Sequence, residues 1–165
     1  MAYLLDANVF IQAKNLHYGF DFCPAFWDWL DQANSRGIVF SIEKVSDALT
    51  AGNDDLADWA KRQGDRFFLP PDSRVVAAFA TVSNWIMTQG YEPAAITTFL
   101  QVADYYLVAH ALAHNFVVIT HEVPANTVRK VKIPNVCIGL GIRHMNPFEM
   151  LRREGARFVL EEKIA

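Results

Sequence analysis

The sequence predicts an α/β fold, a three-layer α/β/α sandwich with a mainly parallel central sheet. Three observations carry that prediction. Short apolar runs alternate with long helical ones, the element order of a parallel sheet covered by helices. The apolar runs carry few polar residues, as strands buried on both faces require. Hydrophobic residues make up 52% of the 165-residue chain, enough for one domain, residues 1–165, with a substantial core.

The first strand is "YLL" (3–5). Further strands are predicted at "GIVFS" (37–41), "RFFL" (66–69), "NFVVIT" (115–120) and "NVCIGL" (135–140). A helix is expected over 23–34, with Pro24 near its start and Gly37 soon after its end. The helix after "GIVFS" carries Glu43 and Asp47, four residues apart and so on one face. Residues 54–64 begin with acids and end with bases and a glycine, which suits the helix dipole. Residues 72–90 have an Asp72/Ser73 cap and stop at Gly90. Val75, Val76, Phe79, Val82, Trp85 and Ile86 give that helix an apolar face, to be buried against the sheet or a second subunit, so a homodimer stays open. Residues 101–115 form a helix leading into "FVVIT". The aromatics of 17–29 are mostly packing; Tyr18 and Phe20 are the candidates to stack on RNA bases or mark an interface.

Composition excludes several classes. The net charge of −3 argues against a strongly basic face for non-specific duplex binding, though not against a local basic patch. Two cysteines, Cys23 and Cys137, stand in no metal-ligand spacing and read as free thiols of a reducing compartment. No apolar run approaches the roughly 18 residues of a membrane helix, and residues 2–5 are too short for a signal peptide, so no membrane and a cytoplasmic location are expected. His110 and His114 lack the intervening acid of a zincin and read as structural or solvent-facing. "GLGIR" (139–143) lacks the third glycine of a dinucleotide loop.

The chemistry lies at the strand ends. In open parallel sheets ligands bind beyond the carboxyl ends of the strands. Asp6 follows "YLL"; Glu43 and Asp47 follow "GIVFS"; His121 and Glu122 follow "NFVVIT"; Asp104 opens the helix that feeds that strand. Each acid alone has an ordinary explanation, as a turn former, a cap or a partner of the helix dipole. Gathered at one edge they would repel one another unless a cation neutralised them. Hard oxygen ligands favour Mg²⁺ or Mn²⁺ over zinc, and such ions serve phosphodiester cleavage.

"YLLDANVFI" resembles the opening of PIN domains, whose first strand ends in Asp-x-Asn. "ADYYLVAHALAHNFVVITHE" resembles the second half of that family, where an Asp opens an alanine-rich helix and the next strand ends in Thr-x-acid. "MNPFEMLRREG" (145–155) resembles the tail of a PIN-like branch. The resemblance implies a metal-dependent endoribonuclease, commonly the toxin of a bacterial toxin–antitoxin pair, with RNA as substrate and an antitoxin protein as partner. By this resemblance Asp6, Asp104 and Glu122 match metal-binding acids, and Asn8 and Thr120 match supporting polar residues.

The chain departs from the PIN pattern at the second acid, a Glu about two turns into the helix after the second strand. "SIEKVSDALTAG" has Ala48 where that Glu would sit. Either Asp47 takes the role or the acid is missing, by natural loss or by deliberate inactivation. The missing-acid case leaves a catalytically impaired scaffold that binds RNA or a protein. Arg129, Lys130 and Lys132 form the one compact basic run; they read as solvated charges before an edge strand or as phosphate contacts. His121 flanks Glu122 and is placed to touch a scissile phosphate. An aspartyl phosphatase of the haloacid type needs a second Asp where this chain has Asn8.

Overall fold

The computed structural model describes residues 1–162; the last three residues of the expected domain lie outside the described residues. Five strands form one parallel sheet in the order β3-β2-β1-β4-β5, with helices on both faces. The strands are β1 (Tyr3–Leu5), β2 (Val39–Ile42), β3 (Phe68–Leu69), β4 (Val117–Ile119) and β5 (His144–Met145). β1 is central and fully buried, with Leu4 paired to Phe40 on one side and to Val118 on the other. The strand order reverses at β1, so the crevice beyond its carboxyl end is the place where this architecture binds ligands.

The helices are α1 (Ala7–Gln12), α2 (Pro24–Ser35), α3 (Glu43–Thr50), α4 (Asp55–Gln63), α5 (Ser73–Met87), α6 (Pro93–Leu100), α7 (Ala103–His114), α8 (Ile133–Leu140) and α9 (Pro147–Arg153). A π-helical turn, Ala13–His17, continues α1. Caps follow the side-chain chemistry. Asp54 and Asp72 accept the amides of Ala57 and Val75, and Asn146 accepts that of Glu149. Asn115 ends α7 at φ 57°, a left-handed position that asparagine tolerates. Among the described residues, no helix is long and apolar enough to cross a membrane.

One expected strand is a helix. Residues 135–140 belong to α8, which begins with Ile133 and Pro134 and ends at Gly141, φ 71°. Ile133, Val136 and Cys137 are buried while Ile138 and Gly139 are exposed, a helical spacing rather than a run buried on both faces. The fifth strand is instead His144–Met145, hydrogen-bonded to β4. The basic run therefore precedes a helix, with Lys132 at its N-cap position, not an edge strand.

The core continues through the aromatics. Phe10 of α1 lies 5.6 Å from the ring of Trp59 and close to Phe67 and Phe68, which fixes the helix that follows Asp6. Tyr18 stacks on Phe26 at 4.5 Å and Phe20 on Trp27 at 4.0 Å. Both are engaged in packing, so the free aromatic of this segment is Phe22, 66% exposed. In α5, Val75, Val82 and Ile86 are buried within the fold, whereas Val76 and Met87 face outward.

Candidate functional site

Asp6 sits at the N-cap position of α1, yet its side chain makes no capping hydrogen bond. Its Oδ2 instead accepts the hydroxyl of Thr120 at 2.8 Å, across from the end of β1 to the end of β4. The group is 4% exposed. Burial, reinforced by the charge of Asp104, pushes the Asp6 carboxyl up to about 7.

Asp104 stands in the first turn of α7, at the sheet edge where that helix begins. A carboxylate there for the helix dipole alone would have its pKa lowered. Burial, with the charge of Glu122, instead pushes it up to about 6. Desolvation thus outweighs the dipole. Among the described residues, neither Asp6 nor Asp104 has an ion-pair partner.

Glu122 also acts on Asp6 and Asp104 through its charge, but it has structural work as well. Its Oε2 accepts the amide of Ile133, the first residue of α8, at 2.9 Å, and its Oε1 lies 3.8 Å from Lys130 Nζ. Thr120 joins the acids: its Oγ1 donates to Asp6 and accepts the Glu122 amide at 3.1 Å. Asn8 Oδ1 accepts the His121 amide at 3.3 Å and ties the turn after β4 to α1.

The remaining predicted residues separate. Asp47 and Ala48 are exposed on α3, and Asp47 is not among the charges that act on Asp6 or Asp104. Of the basic run, Lys130 alone faces the acids; its charge lowers the pKa of Asp104. Arg129 turns toward Glu92, 3.8 Å away, and Lys132 is half-buried.

Three contributors had no clear signal in the sequence. His17 stacks on His121 with ring centroids 5.6 Å apart, and Phe148 meets both rings edge-on. Burial and the neighbouring His17 push the His121 imidazole below its usual range, so it is neutral at pH 7. The π-helical turn that ends at His17 is the kind of irregularity that re-aims a side chain. Ser41, buried at the end of β2, donates to the Leu5 carbonyl at 2.7 Å and braces the chain just before Asp6.

The donor set suits a hard divalent cation in kind: three carboxylates, of which Asp6 is buried and Asp104 half-buried, neither in an ion pair among the described residues. Among the described residues, however, no three His, Cys, Asp or Glu side chains form a group that could hold a metal ion as they stand. Magnesium keeps several water ligands and needs only one or two carboxylates, so an open set of this sort fits it better than a closed cage would.

Residues 3–158 match the model of a family described as Domain of unknown function (DUF4411). No curated protein matches the chain in sequence. Among solved structures, the fold is shared with a chain of VapBC2 from Rickettsia felis bound to a DNA fragment from their promoter. That chain is 12% identical, with a TM-score of 0.55 over 88% of this chain and 98% of that one. A chain of FitAB bound to IR36 DNA fragment is 21% identical, with a TM-score of 0.53 over 88% and 95%. At such identities the likeness concerns the fold.

Proposed function

The chain belongs to the DUF4411 family, and we propose that it is a metal-dependent endoribonuclease of the PIN type, the toxin of a toxin–antitoxin pair. The observation that carries this reading is a pair of carboxylates, Asp6 buried and Asp104 half-buried. Each is raised by burial and by a neighbouring acid, and they stand at the carboxyl edge of a parallel sheet. A bound cation would offset both the burial and the repulsion of these charges. The fold shared with chains of VapBC2 and FitAB supports a partner protein, an antitoxin in this reading.

In this reading Asp6 and Asp104 would be the principal ligands of Mg²⁺ or Mn²⁺, and Glu122, already shared with Ile133 and Lys130, would assist them. When bound, such an ion would supply an activated water and stabilise the negative charge on the phosphoryl oxygens. Thr120 orients Asp6 by donating to its Oδ2. Asn8 keeps the His121 turn in place. Lys130, with Arg129 and Lys132 beside it, holds the phosphates of the RNA, and neutral His121 hydrogen-bonds the scissile phosphate from the other side.

The experiment is cleavage of single-stranded RNA with Mn²⁺, Mg²⁺ or EDTA, in the chain as given and in the Asp6→Asn/Asp104→Asn double variant. Cleavage that needs the metal and both acids is expected. Absence of cleavage with either metal, or equal cleavage by the double variant, overturns the reading. A second reading is an impaired scaffold that binds RNA or a protein. It is favoured by one observation: Ala48 offers no carboxylate, and Asp47 stays exposed and uncoupled from the buried acids. Cleavage that appears only after Ala48→Glu would select it.

A further inference from the structure

Between α6 and the segment that follows Val128 lies a cavity of about 340 Å³. We propose that it receives one base of a single-stranded RNA, the base next to the phosphate that is cut. This rests on the endoribonuclease reading and adds to it a subsite for one base.

The chemistry of the lining supports a base together with its phosphate. The walls are Ala95, Phe99, Val102 and Val131, an apolar surface on which a flat ring loses little by leaving water. Thr98 adds a hydroxyl for the edge of the ring. The volume is at the lower end of the roughly 300–1,000 Å³ of small-molecule sites, which suits one nucleoside. A base inside a duplex is not available to such a cavity, because its faces are stacked and its edge is paired.

The position of the cavity ties it to the acids. Asp104 lines it, and Asp104 is one of the two carboxylates of the candidate centre whose pKa is raised. Lys130 also lines it while its Nζ lies 3.8 Å from Glu122. One lysine therefore touches both the base cavity and the acid cluster, the relation between a nucleotide's ring and its own phosphate. Arg129 completes the cationic side; it is held by Glu92 at only 3.8 Å and is 85% exposed, so an RNA phosphate can replace that partner. Two cations beside apolar walls favour an anionic chain with rings over an apolar peptide segment. The walls are set in advance, since the Glu92 amide at the start of α6 donates to the Val128 carbonyl at 2.9 Å. Preorganisation of this kind lowers the cost of ordering on binding.

The test uses a 12-nucleotide oligouridylate and the same strand with its central residues abasic, which keeps the phosphates and removes rings. Affinities are read by fluorescence anisotropy in EDTA, so that no strand is cut. The wild type should bind the intact strand roughly tenfold more tightly, the size of one buried base contact. Thr98→Trp fills the cavity from the exposed face of α6 and should abolish that preference while leaving abasic affinity unchanged. Ala94→Trp, also exposed on α6, should do the same, and unchanged melting temperatures verify that both variants fold. A wild type that binds both strands equally, or a preference that survives both substitutions, overturns the proposal. If RNA is still cut in a metal-dependent way in that case, only the base cavity falls, and a protein segment becomes its occupant. If the wild type neither binds nor cuts RNA, the endoribonuclease reading falls with it.

Discussion

Replacing Asp6 by Asn should make the metal-free protein more stable, and the gain should depend on pH. Folding raises the Asp6 carboxyl from its ordinary 3.8 to about 7. Between those values the folded state binds more protons than the unfolded state, so stability falls as pH rises. The contribution is fully present below about pH 4 and is lost by the time pH passes about 7. Roughly three pKa units correspond to about 4 kcal/mol. Asp104, at about 6, acts in the same direction. An asparagine keeps an oxygen for the Thr120 hydroxyl and carries no charge, so it escapes the penalty. At pH 8 in EDTA, Asp6→Asn should melt on the order of 10 °C above the wild type, taking ~2–4 °C per kcal/mol for a chain of this size. At pH 4 the two should coincide. Thermal unfolding followed by circular dichroism from pH 4 to 8 measures this. Millimolar Mn²⁺ should narrow the gap at pH 8 by stabilising the wild type, about 2.7 kcal/mol at a hundredfold excess over the dissociation constant. Parallel pH curves for the two proteins would refute the argument from burial. An equal Mn²⁺ response in the Asp6→Asn/Asp104→Asn double variant would refute the metal ligands.

Other substitutions probe the rest of the site. Thr120→Val removes the hydroxyl that favours the ionised form of Asp6 and links it to Glu122; RNA cleavage should drop at least tenfold, with Mn²⁺ affinity measured by calorimetry weakened in parallel. Neutralising Arg129, Lys130 and Lys132 to alanine should weaken RNA binding and reduce the slope of log affinity against log salt by roughly 2, at ~0.7 per phosphate contact, while metal affinity persists. An unchanged slope would place the RNA path elsewhere. Ala48→Glu should raise cleavage if the second acid is absent, whereas loss of existing cleavage in Asp47→Ala would assign that acid to Asp47. Gly139→Ala should destabilise by roughly 1–3 kcal/mol in urea melts, because an added Cβ would fall within 1.9 Å of the Trp85 ring.

The strands β1, β2 and β4 and the helices α2, α4, α5 and α7 were legible because each is encoded locally. An apolar run bounded by polar residues, a proline at the first helical turn and an aspartate cap act within a few residues of the chain. The segment 135–140 was misread because a short apolar run does not by itself distinguish a strand from a helix. Ile138, exposed and apolar, hid the helical spacing. The true edge strand, His144–Met145, is two residues long and holds its place through pairing with β4, which leaves no periodicity to read.

The candidate site divides along the same line. By itself the sequence determined that carboxylates stand at strand ends and at the start of the helix feeding β4, since strand direction and helix direction follow from element order in a parallel sheet. It also singled out Asn8 and Thr120 beside those acids. Only the tertiary structure decided which acids feel one another. Asp6 and Asp104 come from distant parts of the chain, and their raised pKa values arise from burial that packing alone creates. Packing likewise engaged Glu122 with the first amide of α8, left Asp47 in solvent, paired Arg129 with Glu92 and Lys130 with Glu122, stacked His17 on His121 and opened the cavity beside α6. A sequence carries charge and spacing; desolvation and proximity across the fold exist only once the chain is packed.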